Sequence, residues 1–124
     1  MIAIDTSSLV AYFQGDAAAD VMAIEECLRQ NAGVLPPPVL SEILSDPHLP
    51  KPLVALIKRI PLLELPVGLW ERTGSLRAKV IGKGLKSRLA DALIAQLCID
   101  HDVSLITRDR DFRHYVKLGG LKLF

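Results

Sequence analysis

The chain has 124 residues, half of them hydrophobic, with 15 Lys/Arg against 14 Asp/Glu and a formal charge of +1. That is enough for one packed core and too little for two, and it excludes a disordered or low-complexity protein. No uncharged apolar run approaches the ~20 residues of a membrane span. The first strand begins at Ile2, before any basic leader region, which predicts a cytoplasmic chain without membrane attachment.

Ile2 and Ile4 form a short apolar run of strand type. Asp5 ends it, and Thr6-Ser7-Ser8 supplies hydroxyls suited to opening a helix. Ser7 to Gln14 reads as that helix, with Gly15 as its stop. Asp16 can cap a second helix whose apolar face is Ala17, Val21, Ile24 and Leu28. Asn31-Ala-Gly33 closes it, and Val34-Leu35 is a second strand. Pro36 to Pro38 breaks the ladder and places a proline at the start of a helix over Val39–Leu44, which carries Glu42. Asp46-Pro47 and Leu49-Pro50 are loop, and Pro52–Ile60 is helical. Leu62–Leu65 is a third strand, followed by a helix over Val67–Ile81 with Trp70, Thr73, Arg77 and Val80 on one side. Gly82-Lys-Gly84 is the most flexible point, and Ser87–His101 is the clearest helix. Val103–Thr107 is a fourth strand, and Leu121–Phe124 a fifth at the sheet edge. Strands alternating with helices predict an α/β fold with a parallel sheet covered on both faces. Cys27 and Cys98 fall in helices among apolar neighbours and read as two buried thiols in a reducing compartment.

Charge is unevenly spread. Residues 1–71 hold 4 basic and 9 acidic side chains, and residues 72–124 hold 11 and 5. Arg72, Arg77, Lys79, Lys83, Lys86 and Arg88 follow one another with no acid among them. Such a run is either a solvated helix face with its loop or a rim that contacts nucleic-acid phosphates.

The acids carry the stronger signal. In an open parallel sheet, ligands bind outside the carboxyl ends of the strands. Asp5 stands at one such end, and Asp109 and Asp111 follow another. At ~100° per residue, Asp91 falls between Cys98 and Ala95, inside the apolar arc of its helix, where a carboxylate is costly unless paired, hydrogen-bonded or metal-bound. Each acid has a plainer reading when taken singly. Asp5 and Asp109 could cap helices, Asp91 could favour a helix dipole, and Glu42 could simply be solvated. Together they would repel one another without a cation. An oxygen-only set selects Mg²⁺ or Mn²⁺. Zinc is not expected, since His48, His101 and His114 lack ligand spacing. No nucleophile elbow or phosphate-binding loop is present.

Ile4-Asp5-Thr6-Ser7, Pro37-Pro-Val-Leu-Ser-Glu42-Ile-Leu, Arg88-Leu-Ala-Asp91-Ala-Leu-Ile-Ala95 and Leu105-Ile-Thr107-Arg-Asp109-Arg-Asp111-Phe112 resemble the PIN domain, and more narrowly its VapC-like toxins. The resemblance spans essentially the whole chain, as a single domain over residues 1–124. It implies a three-layer α/β/α sandwich and a Mg²⁺-dependent endoribonuclease that dimerises and is inhibited by a cognate antitoxin. It implies catalytic roles for Asp5, Glu42, Asp91 and Asp109, with Asp111 as a fifth acid and Thr6 and Thr107 in support. Asp5, Asp91 and Asp109 would hold Mg²⁺, Mn²⁺ substituting, and Glu42 or Asp111 would orient water or hold a second ion. Arg77, Lys79, Lys83, Lys86 and Arg88 would contact the RNA. The short proline-rich segment between Asp46 and Pro52 departs from the family. An RNA-processing nuclease of the same fold and a non-catalytic binding module are the alternatives. A phospho-receiver domain fits poorly, because Asp5 stands alone and Arg108 follows Thr107; a haloacid-type phosphatase fails because position 7 is serine.

Overall fold

The computed structural model describes all 124 residues. Strand β1 (Ile2–Ile4) leads into α1 (Thr6–Phe13) and α2 (Ala19–Arg29), then β2 (Gly33–Val34). Three helices follow, α3 (Pro37–Leu44), α4 (Lys51–Arg59) and α5 (Leu69–Gly82). The chain ends with α6 (Leu89–Asp100), β3 (Ser104–Ile106), a 3₁₀ turn over Arg110–Phe112 and α7 (Arg113–Gly119).

The strands are parallel and ordered β2-β1-β3, with Ile2 opposite both Gly33 and Ser104, and Ile4 opposite Ile106. Ala3, Ile4, Val34, Leu105 and Ile106 are buried, as expected of a parallel sheet covered on both faces. Position 33 leaves little room for a side chain. A Cβ there would stand 3.0 Å from Leu28 Cδ2 and 3.4 Å from Ile4 Cδ1, so the Leu28 side chain would have to shift. Helices α1 and α2 pack on each other, while α5, α6 and α7 form a second packed group. The architecture is the expected α/β/α sandwich, rich in helix around a small open sheet.

Two expected strands shrink to single bridges. Leu62 pairs only with Leu35, and Leu123 only with Leu105. Pro61 and Pro66 bracket the first segment; each lacks an N–H, so the ladder cannot extend. Helix α3 starts two residues earlier than expected, with proline in its first turn. Asp16 does not cap α2 directly. Its carboxylate accepts from the Ala18 N–H at 2.9 Å, and the helix starts after Ala18 with Val21, Ile24 and Cys27 buried. In α5 the buried stripe is Leu69, Thr73, Leu76 and Val80, and Trp70 faces outward at 61 % exposure. No helix is long and apolar enough to cross a membrane.

Candidate active site

The sheet order fixes where the acids meet. β1 is central, so Asp5 leaves the sheet between its two neighbours, at the kind of switch point where α/β folds bind ligands. The Ile4–Ile106 register sets Asp5 beside Thr107. The Asp5 N–H donates to the Ile106 carbonyl at 2.9 Å, and the Thr107 hydroxyl donates to Asp5 Oδ2 at 2.7 Å. Asp5 occupies the N-cap position of α1, yet its side chain caps nothing. It is 5 % exposed, and Oδ2 also accepts from the Ser7 hydroxyl at 2.8 Å. Two hydroxyls on one oxygen fix the carboxylate and leave Oδ1 free of hydrogen bonds.

Ser7 is a residue that the sequence reading assigned only to helix initiation. Its hydroxyl serves Asp5, lies 3.3 Å from the Thr107 hydroxyl and accepts the Arg108 N–H at 3.2 Å. It thus ties α1 to the loop after β3. Arg108 strengthens the tie. Its guanidinium donates to Asp20 at 2.7 and 2.8 Å and to Asp16 at 3.1 Å, joining that loop to the start of α2. These bonds from Arg108 lower the pKa of Asp20 to about 2.

Thr107 also accepts the Asp109 N–H at 3.1 Å, which orients the next acid. Asp109 does cap the 3₁₀ turn, its Oδ1 accepting the Asp111 N–H at 2.9 Å. Oδ2 carries no such bond. The capping and site readings are therefore compatible, one for each oxygen.

Asp91 lies in the first turn of α6, with Arg88 at the N-cap. The helix is buried around most of its circumference, from Ala92 through Cys98. Asp91 is itself half-buried, and its pKa rises to about 6. Burial is the largest cause, followed by the charges of Asp109 and Asp5; Glu42 adds to the rise and Arg88 opposes it. Glu42 is an exposed residue, but its carboxyl group loses water over the Asp5 edge. That loss, then the Asp5 charge, raises its pKa, and the Arg88 charge opposes the rise. The Thr6 hydroxyl is buried and makes no hydrogen bond within 3.5 Å.

Four elements thus bring Asp5, Glu42, Asp91 and Asp109 within electrostatic reach of one another. The ring is open: no group of three His, Cys, Asp or Glu side chains is gathered tightly enough to hold a metal ion as it stands.

Around the acids lie hollows of different character. The largest, 520 Å³, is lined by Arg77, Lys86, Arg88, Asp91, Asp111 and Tyr115 among others. Asp111 and three of the expected RNA-contacting residues therefore share a wall with Asp91. Arg77 also braces that wall, donating to the Ser87 carbonyl at 2.8 Å. Lys79 lines a separate hollow with Arg72 and Gln96, and Lys83 is the C-cap of α5. Thr6 and Glu42 border a third hollow, 320 Å³, with the apolar Val10, Phe13 and Leu53.

Comparison with known proteins agrees with this geometry. Residues 2–118 match the model of the PIN domain. The chain is 28 % identical over 130 aligned residues to the VapC ribonuclease Mb1587 of Mycobacterium bovis, covering 98 % of this chain and 96 % of that one. The figures are the same for ribonuclease VapC11 of Mycobacterium tuberculosis, at 28 % identity and the same coverage. In fold it is similar to a chain of VapBC2 from Rickettsia felis, solved with a DNA fragment from their promoter, at a TM-score of 0.73, 21 % identity and 100 % and 98 % coverage. A toxin–antitoxin complex from Klebsiella pneumoniae gives a TM-score of 0.71 at 17 % identity, with 98 % and 95 % covered. With the family model matched over residues 2–118 of the 124, this chain belongs to the PIN-domain family.

Proposed function

We propose that this chain is a metal-dependent endoribonuclease of VapC type, held inactive by a small antitoxin protein. The observation that carries the reading is the convergence of Asp5, Glu42, Asp91 and Asp109 from four elements on the carboxyl edge of the sheet. Two curated relatives named as VapC ribonucleases support it.

The donor set suits a hard divalent cation, Mg²⁺ or Mn²⁺. All its atoms are oxygens, they repel one another, and Asp5 Oδ1 and Asp109 Oδ2 are unused by the protein. Asp5, Asp91 and Asp109 would hold it, with Glu42 and Asp111 in outer positions. When bound, the ion would polarise a phosphodiester and ease deprotonation of a water. The chain's own residues prepare that chemistry. Ser7 and Thr107 fix Asp5, Thr107 orients Asp109, and Glu42, its pKa raised by loss of water and by the Asp5 charge, holds a proton more readily than a free glutamate does. Arg88 lies near both Asp91 and Glu42 and would offset the repulsion between these acids and an incoming phosphate.

The antitoxin is proposed from the same likeness, since one solved neighbour is described as a toxin–antitoxin complex, and a homodimeric assembly is proposed from the family resemblance alone. The test is direct. The purified chain should cut single-stranded RNA with added Mg²⁺ and stop on addition of EDTA. Co-expression with the product of the neighbouring small open reading frame should suppress the activity. An intact RNA ladder under all metal conditions would defeat the reading.

The RNA path should be equally selective. Lys86→Ala/Arg88→Ala removes two charges from the wall shared with Asp91. It should reduce the salt slope of RNA binding by about 1.4, at ~0.7 per single-strand phosphate. Lys79→Ala, in a different hollow, should leave the slope unchanged. The opposite pattern would move the path to the outer face of α5.

A further inference from the structure

A second cationic hollow, of 290 Å³, opens at the loop that follows β3. Thr107, Asp109, Arg110, Arg113 and Phe124 are in its wall, so it shares the acid edge with the first hollow but lies on the Asp109 side. Arg108 also borders it, with its charge engaged by Asp16 and Asp20. Arg110 and Arg113 are exposed and form no ion pair; the salt bridges of the chain lie elsewhere. Phe124 is 68 % exposed, yet its backbone is fixed to the sheet, its N–H donating to the Leu105 carbonyl at 3.0 Å. Burial does not account for an aromatic ring left in solvent, on an anchored backbone, beside two guanidinium groups without ion pairs.

Those three groups match one chemistry. Guanidinium forks bind phosphate oxygens, and an exposed aromatic ring stacks on a base of any identity. A simple anion would leave the ring without a role. The hollow is at the small end for ligand sites, which suits one nucleotide better than a duplex. Asp91 borders the first basic hollow and Asp109 borders this one, so the acid cluster has a basic wall at each of these two members.

We propose that this hollow seats the RNA nucleotide on the opposite side of the scissile phosphate from the Arg88 hollow. Arg110 and Arg113 hold its phosphate, and Phe124 stacks its base. The assignment rests on the ribonuclease reading above and adds a substrate position to it.

The experiment uses the full chain and a single-stranded RNA of about ten nucleotides with one mapped cut. Arg110→Ala/Arg113→Ala should raise KM about tenfold, lower the salt slope of binding by about 1.4 and leave kcat within about twofold. Phe124→Ala should raise KM at least about fivefold with the slope unchanged. Lys117→Ala, outside the hollow, is the control. Oligonucleotides shortened from either end locate the effect. In binding to an RNA lacking the nucleotides on one side of the cut, which has no bond left there to cleave, the variants should lose no more affinity than wild type. Equal penalties on both shortened RNAs would overturn the proposal. So would unchanged RNA handling, or a loss confined to binding of an acidic antitoxin peptide. A wild-type chain that cuts no RNA would defeat the ribonuclease reading alone. The salt slope of oligonucleotide binding, measured without cleavage, still decides the hollow.

Discussion

Asp91→Asn is expected to reduce RNA cleavage by about two orders of magnitude or more while making the metal-free protein more stable at neutral pH. The substitution keeps shape and volume and removes one charge from the cluster. The stability change follows from the raised pKa. A free aspartate loses its proton near 3.8, and Asp91 keeps its own until about 6. Below pH 4 both states are protonated, and the residue contributes nothing to pH dependence. Between pH 4 and pH 6 the unfolded chain ionises first, so the folded state loses stability as pH rises, and the loss is complete above pH 6. Two pH units correspond to about 3 kcal/mol, and partial exposure reduces this to on the order of 1–2 kcal/mol. The variant should regain that amount at pH 7, less ~0.3–1 kcal/mol for a lost charge in the first helical turn. It should regain nothing at pH 3.5. Thermal melts at both pH values, without metal, provide the comparison. If Asp91 served only the helix dipole, Asn would be destabilising and cleavage near normal. That result would remove Asp91 from the site.

The acids were legible in the sequence because their chemistry and their fold position coincide. Asp5 and Asp109 each follow a strand within a few residues, and a parallel sheet brings all its carboxyl ends to one edge. Asp91 was legible because a carboxylate in an apolar helical arc needs an explanation. Ser7 was not, since a hydroxyl after an acid reads as helix initiation; only the Ile4–Ile106 register shows that it bridges to Thr107 and Arg108. Linear charge density does not show which cations share a wall. Arg77 and Lys79 are neighbours in the basic run, but two residues turn a helix by ~200°, and they line different hollows. Arg110 passed unnoticed for the converse reason. It alternates with Asp109 and Asp111, so the stretch has little net charge, and only the fold sets Arg110 beside Arg113 and Phe124 in one hollow. The strand expected at Leu62–Leu65 had the right apolar pattern, but flanking prolines decided against it. Trp70 exchanged its expected place with Leu69, because one residue of phase along α5 moves a side chain from core to solvent.

Millimolar Mn²⁺ is expected to raise the melting temperature by about 10 °C at pH 7.5. An ion present at a hundred times its dissociation constant stabilises the folded state by about 2.7 kcal/mol. A chain of this size gains a few degrees for each kcal/mol. The acids as they stand hold no ready-made three-ligand set, so binding must draw Asp91 and Asp109 inward toward Asp5. That movement is favourable only when the carboxylates are ionised. The stabilisation should therefore shrink as pH falls through about 6, where Asp91 takes up its proton and competes with the ion. Asp91→Asn should reduce the Mn²⁺ shift to about a third or less, because Asn offers one neutral oxygen in place of a charged carboxylate. Its higher metal-free stability and smaller metal response should appear together, since both come from removing the same repelled charge. A variant that is stabilised without metal but keeps the full Mn²⁺ shift would place the ion elsewhere. A wild-type melting curve unmoved by several millimolar Mn²⁺, with cleavage persisting in EDTA, would require the acids to work as proton carriers alone. The neighbouring cations would then have to carry the phosphate's charge, and Arg88, nearest to Asp91 and Glu42, would become the residue whose loss costs most.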